Sequence, residues 1–219
     1  MSTLTIHGIP GSPYVRMPLM ACEEKGAPWR LAAMQMGSGR TPEHLARHPF
    51  ARMPAMEHGD FQLYESQAII RYVDQVFDGP ALTPTAPRAA ARMNQVMGIV
   101  DCYVSKSISG GISWNRLVAP IFGMPVDEEA ITAAIPMSRT CVAALEEILG
   151  DNAYFAGDAV SLADIMAFPH LEMLPLSPEG AEIAAGSPLL DWLARMAQRP
   201  SVAATAWERL SAMTQAEPA

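Results

Sequence analysis

The dipeptide Glu65-Ser66 places a carboxylate beside a hydroxyl where a predicted strand passes into a predicted helix. Residues 61–64 have strand character, and apolar residues recur with helical spacing from residue 69 to residue 76. Backbone N–H groups and the positive dipole end of a helix N-terminus favour a bound carboxylate. The Glu65 carboxylate can accept a hydrogen bond from an ammonium. The pair therefore offers partners for both charges of an α-amino-acid head group.

A proline and a tight turn precede this pair. Residues 55–57 and 61–64 are predicted as two short strands, joined by a turn at His58-Gly59. Pro54 stands at the first residue of a strand, where a missing backbone donor is tolerated. Glu65-Ser66 by itself is compatible with an ordinary hairpin followed by a serine-capped helix. The ordered set of proline, hairpin and Glu-Ser is more specific than any of its parts.

This ordered set resembles the soluble glutathione transferases. In that family the proline, the hairpin and the Glu-Ser pair hold the γ-glutamyl end of glutathione. The resemblance implies a cis Met53-Pro54 bond and pairing of the Met53 backbone with the cysteinyl unit. Arg40 and Arg52 resemble by position the family's contacts to the glycyl carboxylate, although each is also compatible with a plain surface charge. The implied glutathione-binding residues are Arg40, Arg52, Met53, Pro54, Glu65 and Ser66.

Two hydroxyls compete to activate the glutathione sulfur in the reaction that the resemblance implies. The thiolate is the nucleophile, and an ordinary thiol with a pKa of about 8.5 is mostly protonated at neutral pH. Ser12 lies at the predicted N-terminus of the first helix, where serine-type members place their activating hydroxyl. Tyr14 lies inside the first turn and is the alternative. We favour Ser12 as the catalytic residue, although serine before Pro13 is also a routine helix cap.

The electrophile pocket is predicted between the two domains. The resemblance places it against the first long helix after the linker, with Tyr14 as a wall. The residues that we assign to it are Tyr14, Tyr103, Lys106 and Trp114. They combine aromatic and apolar surface with one cation, which suits a small apolar electrophile. For Tyr103, an ordinary place in a helical core is the alternative.

The predicted fold class is α+β. Residues 1–78 follow a β-α-β then β-β-α order, which is the arrangement of a thioredoxin-like domain. Residues 78–87 contain several prolines and one glycine and are predicted as a linker. Residues 88–219 are predicted as an all-helical domain, because helical apolar spacing occurs in 88–115, 127–149, 161–175 and 188–212.

The composition of the chain excludes some classes of binding partner and indicates a cellular compartment. The chain has 219 residues, is 50% hydrophobic and carries a net charge of −8, which argues against nucleic acid and anionic membranes as partners. It has neither a long apolar run nor the features of a secretory signal. Its three cysteines and five histidines show no metal-ligand spacing. We therefore expect a cytoplasmic protein without a metal, and the family resemblance implies a twofold homodimer.

The sequence is compatible with more than one class within the family and with more than one reaction. The run of residues 41–45 followed by His48-Pro49-Phe50 resembles a phi-like pattern in which Asn-Pro-Phe-Gly is usual. His48 and Ala51 depart from it, so theta-like and bacterial serine-type classes stay open. We predict conjugation of glutathione, its cosubstrate, to small apolar electrophiles. The alternatives are a glutathione-dependent isomerase or dehalogenase, or a non-catalytic member that binds ligands or proteins.

Overall fold

The computed structural model describes residues 2–216, with side chains up to residue 213. Its contacts divide the chain into two compact units. The first unit contains the residues up to Leu82 and those from Ala197 onward, and the second is Thr83–Met196. Each unit has its own buried core.

The first unit is built on a four-stranded sheet with the strand order β2-β1-β3-β4. The strands are β1 Leu4–Gly8, β2 Trp29–Ala33, β3 Ala55–His58 and β4 Phe61–Tyr64. Strand β1 pairs parallel with β2 and antiparallel with β3, and β3 pairs antiparallel with β4. The helices among these strands are α1 Pro13–Lys25, α2 Pro42–Arg47 and α3 Ser66–Val76, with a short 3₁₀ helix at Ser38–Arg40. The predicted β-α-β then β-β-α order is confirmed.

Helix α1 has the ends that its sequence predicts. Ser12 occupies the N-cap and Pro13 the first helical position, where a missing N–H costs nothing. At the other end, Gly26 adopts the left-handed conformation with φ 63°, which ends the helix without a Cβ clash. The helix packs against α3 and β1. The local sequence therefore determines where helix α1 begins and ends.

The C-terminal segment contacts the first unit. It forms α9 Pro200–Ala204 and α10 Trp207–Ala216. Arg199 donates to both oxygens of the Glu24 carboxylate at 2.7 and 2.6 Å, and the Ser201 hydroxyl donates to it at 2.5 Å. The predicted domain of residues 88–219 is therefore not one contact unit, because these charged contacts hold its last part against α1.

The second unit is helical, as predicted. Its helices are α4 Pro87–Ile99, a π-helix Val100–Val118, α5 Glu128–Leu149, α6 Leu162–Leu171, α7 Pro178–Ile183 and α8 Leu189–Ala197, with 3₁₀ turns at Ala119–Phe122 and Leu174–Leu176. The helical spacing of residues 188–212 corresponds to three helices, α8, α9 and α10. Pro200 explains the first break, since proline is favoured at the first position of a new helix.

The π-helix that continues α4 is the main departure from the predicted helix of residues 88–115. The Ser105 and Ser107 hydroxyls donate to the carbonyl groups of Asp101 and Tyr103 at 2.8 and 2.9 Å. A Cβ atom on Gly111 would lie 2.5 Å from the Cβ of Ala134 on α5. Glycine at this position therefore permits the close approach of the π-helix to α5.

Helix α6 starts with a buried capping box. The fully buried Asp164 carboxylate accepts from the Ser161 N–H at 2.9 Å and the Ser161 hydroxyl at 2.8 Å. It also accepts from the Phe155 N–H at 3.0 Å and the Trp192 indole at 2.9 Å. Burial raises the pKa of Asp164, and these donors oppose that shift. The carboxylate thus joins α8 to the start of α6, which is a structural role.

Candidate active site

Ser12 caps α1 with its backbone and leaves its hydroxyl available. The Ser12 carbonyl accepts from the N–H groups of Val15 and Arg16 at 3.0 and 2.9 Å, as the first bonds of the helix. Its side chain forms no capping hydrogen bond within the described part of the chain, and the residue is partly exposed. The alternative interpretation of Ser12, a serine whose side chain caps the helix, therefore does not apply to its hydroxyl.

Met53 connects the loop before Ser12 to the start of β3. The Met53–Pro54 peptide bond is cis, as the family resemblance implied. The Ile9 N–H donates to the Met53 sulfur at 3.4 Å, so the methionine side chain lies against the loop that leads to Ser12. Pro54 is buried and Met53 partly exposed. The backbone of Met53 and the Ser12 loop thus form neighbouring parts of one surface.

Glu65 and Ser66 stand at the N-terminus of α3. Glu65 is exposed, has φ 72° and ψ 114°, and makes no side-chain capping bond in residues 2–216. A positive φ is sparsely populated by residues other than glycine, and such residues cluster at ligand-binding sites. Ser66 is buried, and its hydroxyl donates to the Tyr14 carbonyl at 3.1 Å. The start of α3 is thereby attached to the first turn of α1, next to Ser12.

The two arginines that resemble contacts to the glycyl carboxylate, Arg40 and Arg52, are both exposed. Among the described residues, neither the Arg40 nor the Arg52 guanidinium forms an ion pair within 4.0 Å. The backbone beside them is closely packed, because a Cβ atom on Gly39 would lie 2.9 Å from the Ala51 carbonyl oxygen. Ala51 itself has φ 55°, a conformation in which glycine is favoured. The contact of these two arginines with a glycyl carboxylate stays a prediction.

Two buried histidines contact the segments that carry the predicted glutathione-binding residues, and the sequence analysis assigned neither of them to the site. His44 is 2% exposed, and its Nε2 lies 2.6 Å from the Arg52 carbonyl oxygen. The His48 ring packs on the Tyr64 ring, with centroids 4.8 Å apart. Burial is the main reason that the pKa of His48 is lowered, while Glu65 opposes that shift. The helix start Thr41-Pro42 indicates only that His44 lies in the first turn of α2, where the Thr41 hydroxyl accepts from the His44 N–H at 3.3 Å. No signal in the sequence indicates the bond from His44 to Arg52.

Tyr14, which carries the alternative hydroxyl, lies two residues after Ser12. It is partly exposed, and its carbonyl receives the Ser66 hydroxyl described above. Two residues after Tyr14, Arg16 is only 4% exposed, and burial lowers its pKa to about 10, an effect that Glu208 of α10 opposes. Helix α1 therefore carries two hydroxyls near its start and a buried cation behind them.

The other residues predicted for the electrophile pocket lie in the second unit. A cavity of about 440 Å³ lies between the π-helix and α5, and Tyr103 and Lys106 line it. Apart from these, its walls are Cys102, Ser107, Gly110, Gly111, Asn115, Ala130, Ala133, Ala134 and Met137. Trp114 is not part of this lining and instead stacks on Phe122, with ring centroids 6.3 Å apart. The assignment of these residues to an electrophile stays a prediction.

Within the part of the chain that the structure describes, no three histidine, cysteine or carboxylate side chains are grouped so that they could hold a metal ion. In the same part, no helix is both long enough and apolar enough to cross a membrane.

The family of the chain follows from comparison with known proteins. The model of the glutathione S-transferase N-terminal domain matches residues 6–81, and that of the C-terminal domain matches residues 128–195. Glutathione S-transferase 4 of Zea mays is 30% identical over 203 residues, which cover 90% of this chain and 88% of that protein. The chain belongs to the glutathione S-transferase family. The predicted family and the predicted class of enzyme, a transferase that conjugates glutathione, are therefore confirmed.

Solved structures of glutathione transferases match this family member over almost its whole length. Glutathione transferase F7 from Populus trichocarpa is 26% identical, with a TM-score of 0.84, and the match covers 94% of this chain and 99% of that one. A theta class enzyme from Xanthomonas axonopodis pv. citri, solved with glutathione bound, is 25% identical, with a TM-score of 0.78 and coverages of 94% and 97%. The predicted α+β architecture is confirmed.

Proposed function

We propose that this glutathione S-transferase family member conjugates the glutathione thiolate to small apolar electrophiles, and that the Ser12 hydroxyl stabilises the thiolate. The observation that carries the proposal is the Ser12 side chain, which stands at the N-cap of α1 and makes no capping bond within the described residues. Its proton is therefore available to a sulfur atom bound at the N-terminus of the helix. A hydroxyl engaged by its own helix would instead have favoured a member that only binds ligands.

The charges around α3 and the neighbouring loops match those of glutathione. Glutathione carries one ammonium and two carboxylates. The exposed Glu65 carboxylate supplies a partner for the ammonium, and the N–H groups at the start of α3 supply one for the γ-glutamyl carboxylate. We assign Met53 and the buried Pro54 to the cysteinyl unit, and Arg40 and Arg52 to the glycyl carboxylate. Each charge of the cosubstrate then has a partner of opposite sign.

The energy required of Ser12 is modest. Lowering a thiol pKa from about 8.5 by about two units requires roughly 2.7 kcal/mol of preference for the thiolate. A hydrogen bond to a charged acceptor contributes about 1.5–3 kcal/mol, and a helix N-terminus adds roughly 0.3–1 kcal/mol. One hydroxyl at the start of α1 is thus sufficient for thiolate formation at neutral pH.

We assign the electrophile to apolar surface that carries one cation. Tyr103 and Lys106 line the cavity of about 440 Å³, which offers an aromatic ring, a methionine and alanine side chains beside an ammonium. We propose that Tyr103 and Lys106 contact the electrophile there. We further propose a cytoplasmic location, because all three cysteines are free.

The function is tested by glutathione conjugation to an aryl chloride that carries nitro groups. We expect glutathione-dependent formation of the aryl thioether, followed by absorbance, at a rate that is proportional to enzyme concentration. Calorimetry on the same preparation measures glutathione binding independently of turnover. Glutathione binding without conjugation of any aryl, alkyl or enone electrophile in a panel would instead indicate a non-catalytic member.

We also propose that the protein is a twofold homodimer. Phe50 is 67% exposed and Phe61 is 43% exposed, and both side chains would gain free energy from burial in a contact with a second copy of the chain. Light scattering at micromolar concentration is expected to give twice the chain mass of 23.6 kDa. A dilution series separates a stable dimer from weak association. A mass of one chain throughout that series would overturn the proposal.

A further inference from the structure

We infer that His44 is a positioning residue for glutathione, because it holds the Arg52–Met53 peptide so that the Met53 N–H is presented to the cysteinyl unit. This inference rests on the proposed function, in which the Met53 backbone pairs with glutathione. His44 does not contact the cosubstrate in this scheme and acts through the peptide that it binds.

The first step is the hydrogen bond between α2 and the segment before β3. The His44 Nε2 lies 2.6 Å from the Arg52 carbonyl oxygen. A carbonyl oxygen can only accept, so the Nε2 of His44 carries the proton and donates it. The ring is 2% exposed, so water does not compete for the bond. The Thr41 cap fixes the helix turn that carries His44, since the Thr41 hydroxyl accepts from the His44 N–H.

The second step is the geometry of the peptide that accepts this bond. The cis bond of this segment is Met53–Pro54, and the preceding Arg52–Met53 bond is trans. In a planar trans peptide the C=O and the N–H point in opposite directions. A carbonyl held towards α2 by His44 therefore turns the Met53 N–H away from α2. No hydrogen-bond partner of the Met53 N–H is found within residues 2–216, so this donor is available to a ligand.

The third step concerns the other side of the same residue. The Met53 sulfur accepts from the Ile9 N–H at 3.4 Å, in the loop that leads to Ser12. The side chain of Met53 is thus held by the Ser12 loop, while the peptide before it is held by His44. A residue restrained at both points presents its N–H at a fixed distance from the loop that carries the activating hydroxyl. Preorganisation of this kind lowers the cost of ordering the site on binding.

The two ring nitrogens of His44 differ in their hydrogen bonding, and this difference favours a positioning role over simple packing. Its Nδ1 is buried and has no hydrogen-bond partner in the described part of the chain. A buried polar atom without a partner is unfavourable, and leucine would fill a similar space without it. The useful feature of histidine at this position is therefore the single donor at Nε2.

The test uses two substitutions with opposite expectations. His44→Leu removes the donor, whereas His44→Gln keeps an N–H at a similar reach. The probe is S-methylglutathione, titrated into protein labelled with ¹⁵N-methionine, in which the Met53 amide signal is identified by its loss in Met53→Leu. In wild type and His44→Gln, binding should move the Met53 N–H signal downfield as it gains a hydrogen bond. In His44→Leu, we expect that shift to be lost and affinity to fall roughly three- to tenfold.

His58→Leu is the matched control. His58 lies in the same unit and is bonded to the Tyr72 hydroxyl at 2.8 Å, away from Arg52. This variant should leave both the Met53 shift and the affinity at wild-type values. If the Met53 N–H signal of His44→Leu still moves downfield on binding by as much as in wild type, the inference is overturned, whether or not affinity falls. A purely structural role for His44 would then suffice.

A measurement on the wild type alone covers the case in which His44→Leu fails to fold. Spectra of ¹⁵N-histidine-labelled protein should show His44 as the Nε2–H tautomer, with and without S-methylglutathione. The Nδ1–H tautomer would overturn the inference. Failure of the wild type to bind S-methylglutathione would overturn the proposed function, and the inference with it, and is distinct from a failure confined to His44.

Discussion

Ser12→Ala is expected to raise the apparent pKa of the bound glutathione thiol by about one to two units, because the anion loses its hydroxyl donor. Turnover at neutral pH should fall roughly three- to twenty-fivefold, in step with the fraction of thiolate. Because the thiol pKa is expected to rise, the pH dependence of turnover tests this prediction. The rising limb of the rate profile should move to higher pH, and the variant should approach wild-type turnover above its raised thiol pKa. Thiolate absorbance of bound glutathione measures the pKa directly.

Tyr14→Phe is the matched control for this prediction, since it removes the competing hydroxyl from the same helix turn. It should leave the thiol pKa unchanged and alter mainly the KM for the electrophile. Calorimetry should find glutathione affinity little changed in Ser12→Ala, because the anchor that we propose for the γ-glutamyl group lies at α3. If Tyr14→Phe abolishes thiolate formation while Ser12→Ala retains it, the activating hydroxyl is Tyr14. If neither variant shifts the pKa, activation rests on backbone donors and the helix dipole.

Glu65→Ala is expected to weaken glutathione binding by roughly tenfold to a hundredfold, the loss of one charge-assisted hydrogen bond. Calorimetry is the measurement. Fold stability should change little, because the Glu65 carboxylate is exposed and its positive φ is equally unfavourable for alanine. Glu43→Ala is the control, since Glu43 is an exposed carboxylate of the same unit whose partner is Arg47. Unchanged affinity in Glu65→Ala would remove Glu65 from the site.

Ser66→Ala is expected to weaken glutathione binding by a similar factor. Unlike Glu65→Ala, this substitution should also reduce stability. The Ser66 hydroxyl donates to the Tyr14 carbonyl at 3.1 Å, so its removal leaves a partly buried acceptor without that donor. We therefore expect about 1 kcal/mol of destabilisation in thermal or denaturant unfolding. Unfolding measured beside calorimetry separates this loss from the loss of binding.

The sequence by itself determined the elements whose causes are local. The β3–β4 hairpin follows from turn chemistry within four residues, but its turn is one residue later than the predicted His58-Gly59. His58 ends β3 and pairs with Phe61, so the turn residues are Gly59 and Asp60. The start of α1 at Ser12-Pro13 and its end at Gly26 follow from capping preferences that act within one turn. The position of Glu65-Ser66 at a helix start follows from the change of apolar period around it. These features, together with the family motif that they form, were sufficient to predict the fold class, and they place the proposed glutathione site, which stays a prediction.

Only the tertiary structure decided which distant groups meet. The bond from His44 to the Arg52 carbonyl depends on how α2 is oriented towards the segment before β3, and no period or cap in the sequence encodes that orientation. The contact of Arg199 with Glu24 joins residues 175 positions apart, and it places α9 with the first unit. The π-helix at Val100–Val118 depends on packing against α5, where Gly111 meets Ala134. Propensity acts between neighbours in the chain, whereas these arrangements arise from contacts between elements that meet only on folding.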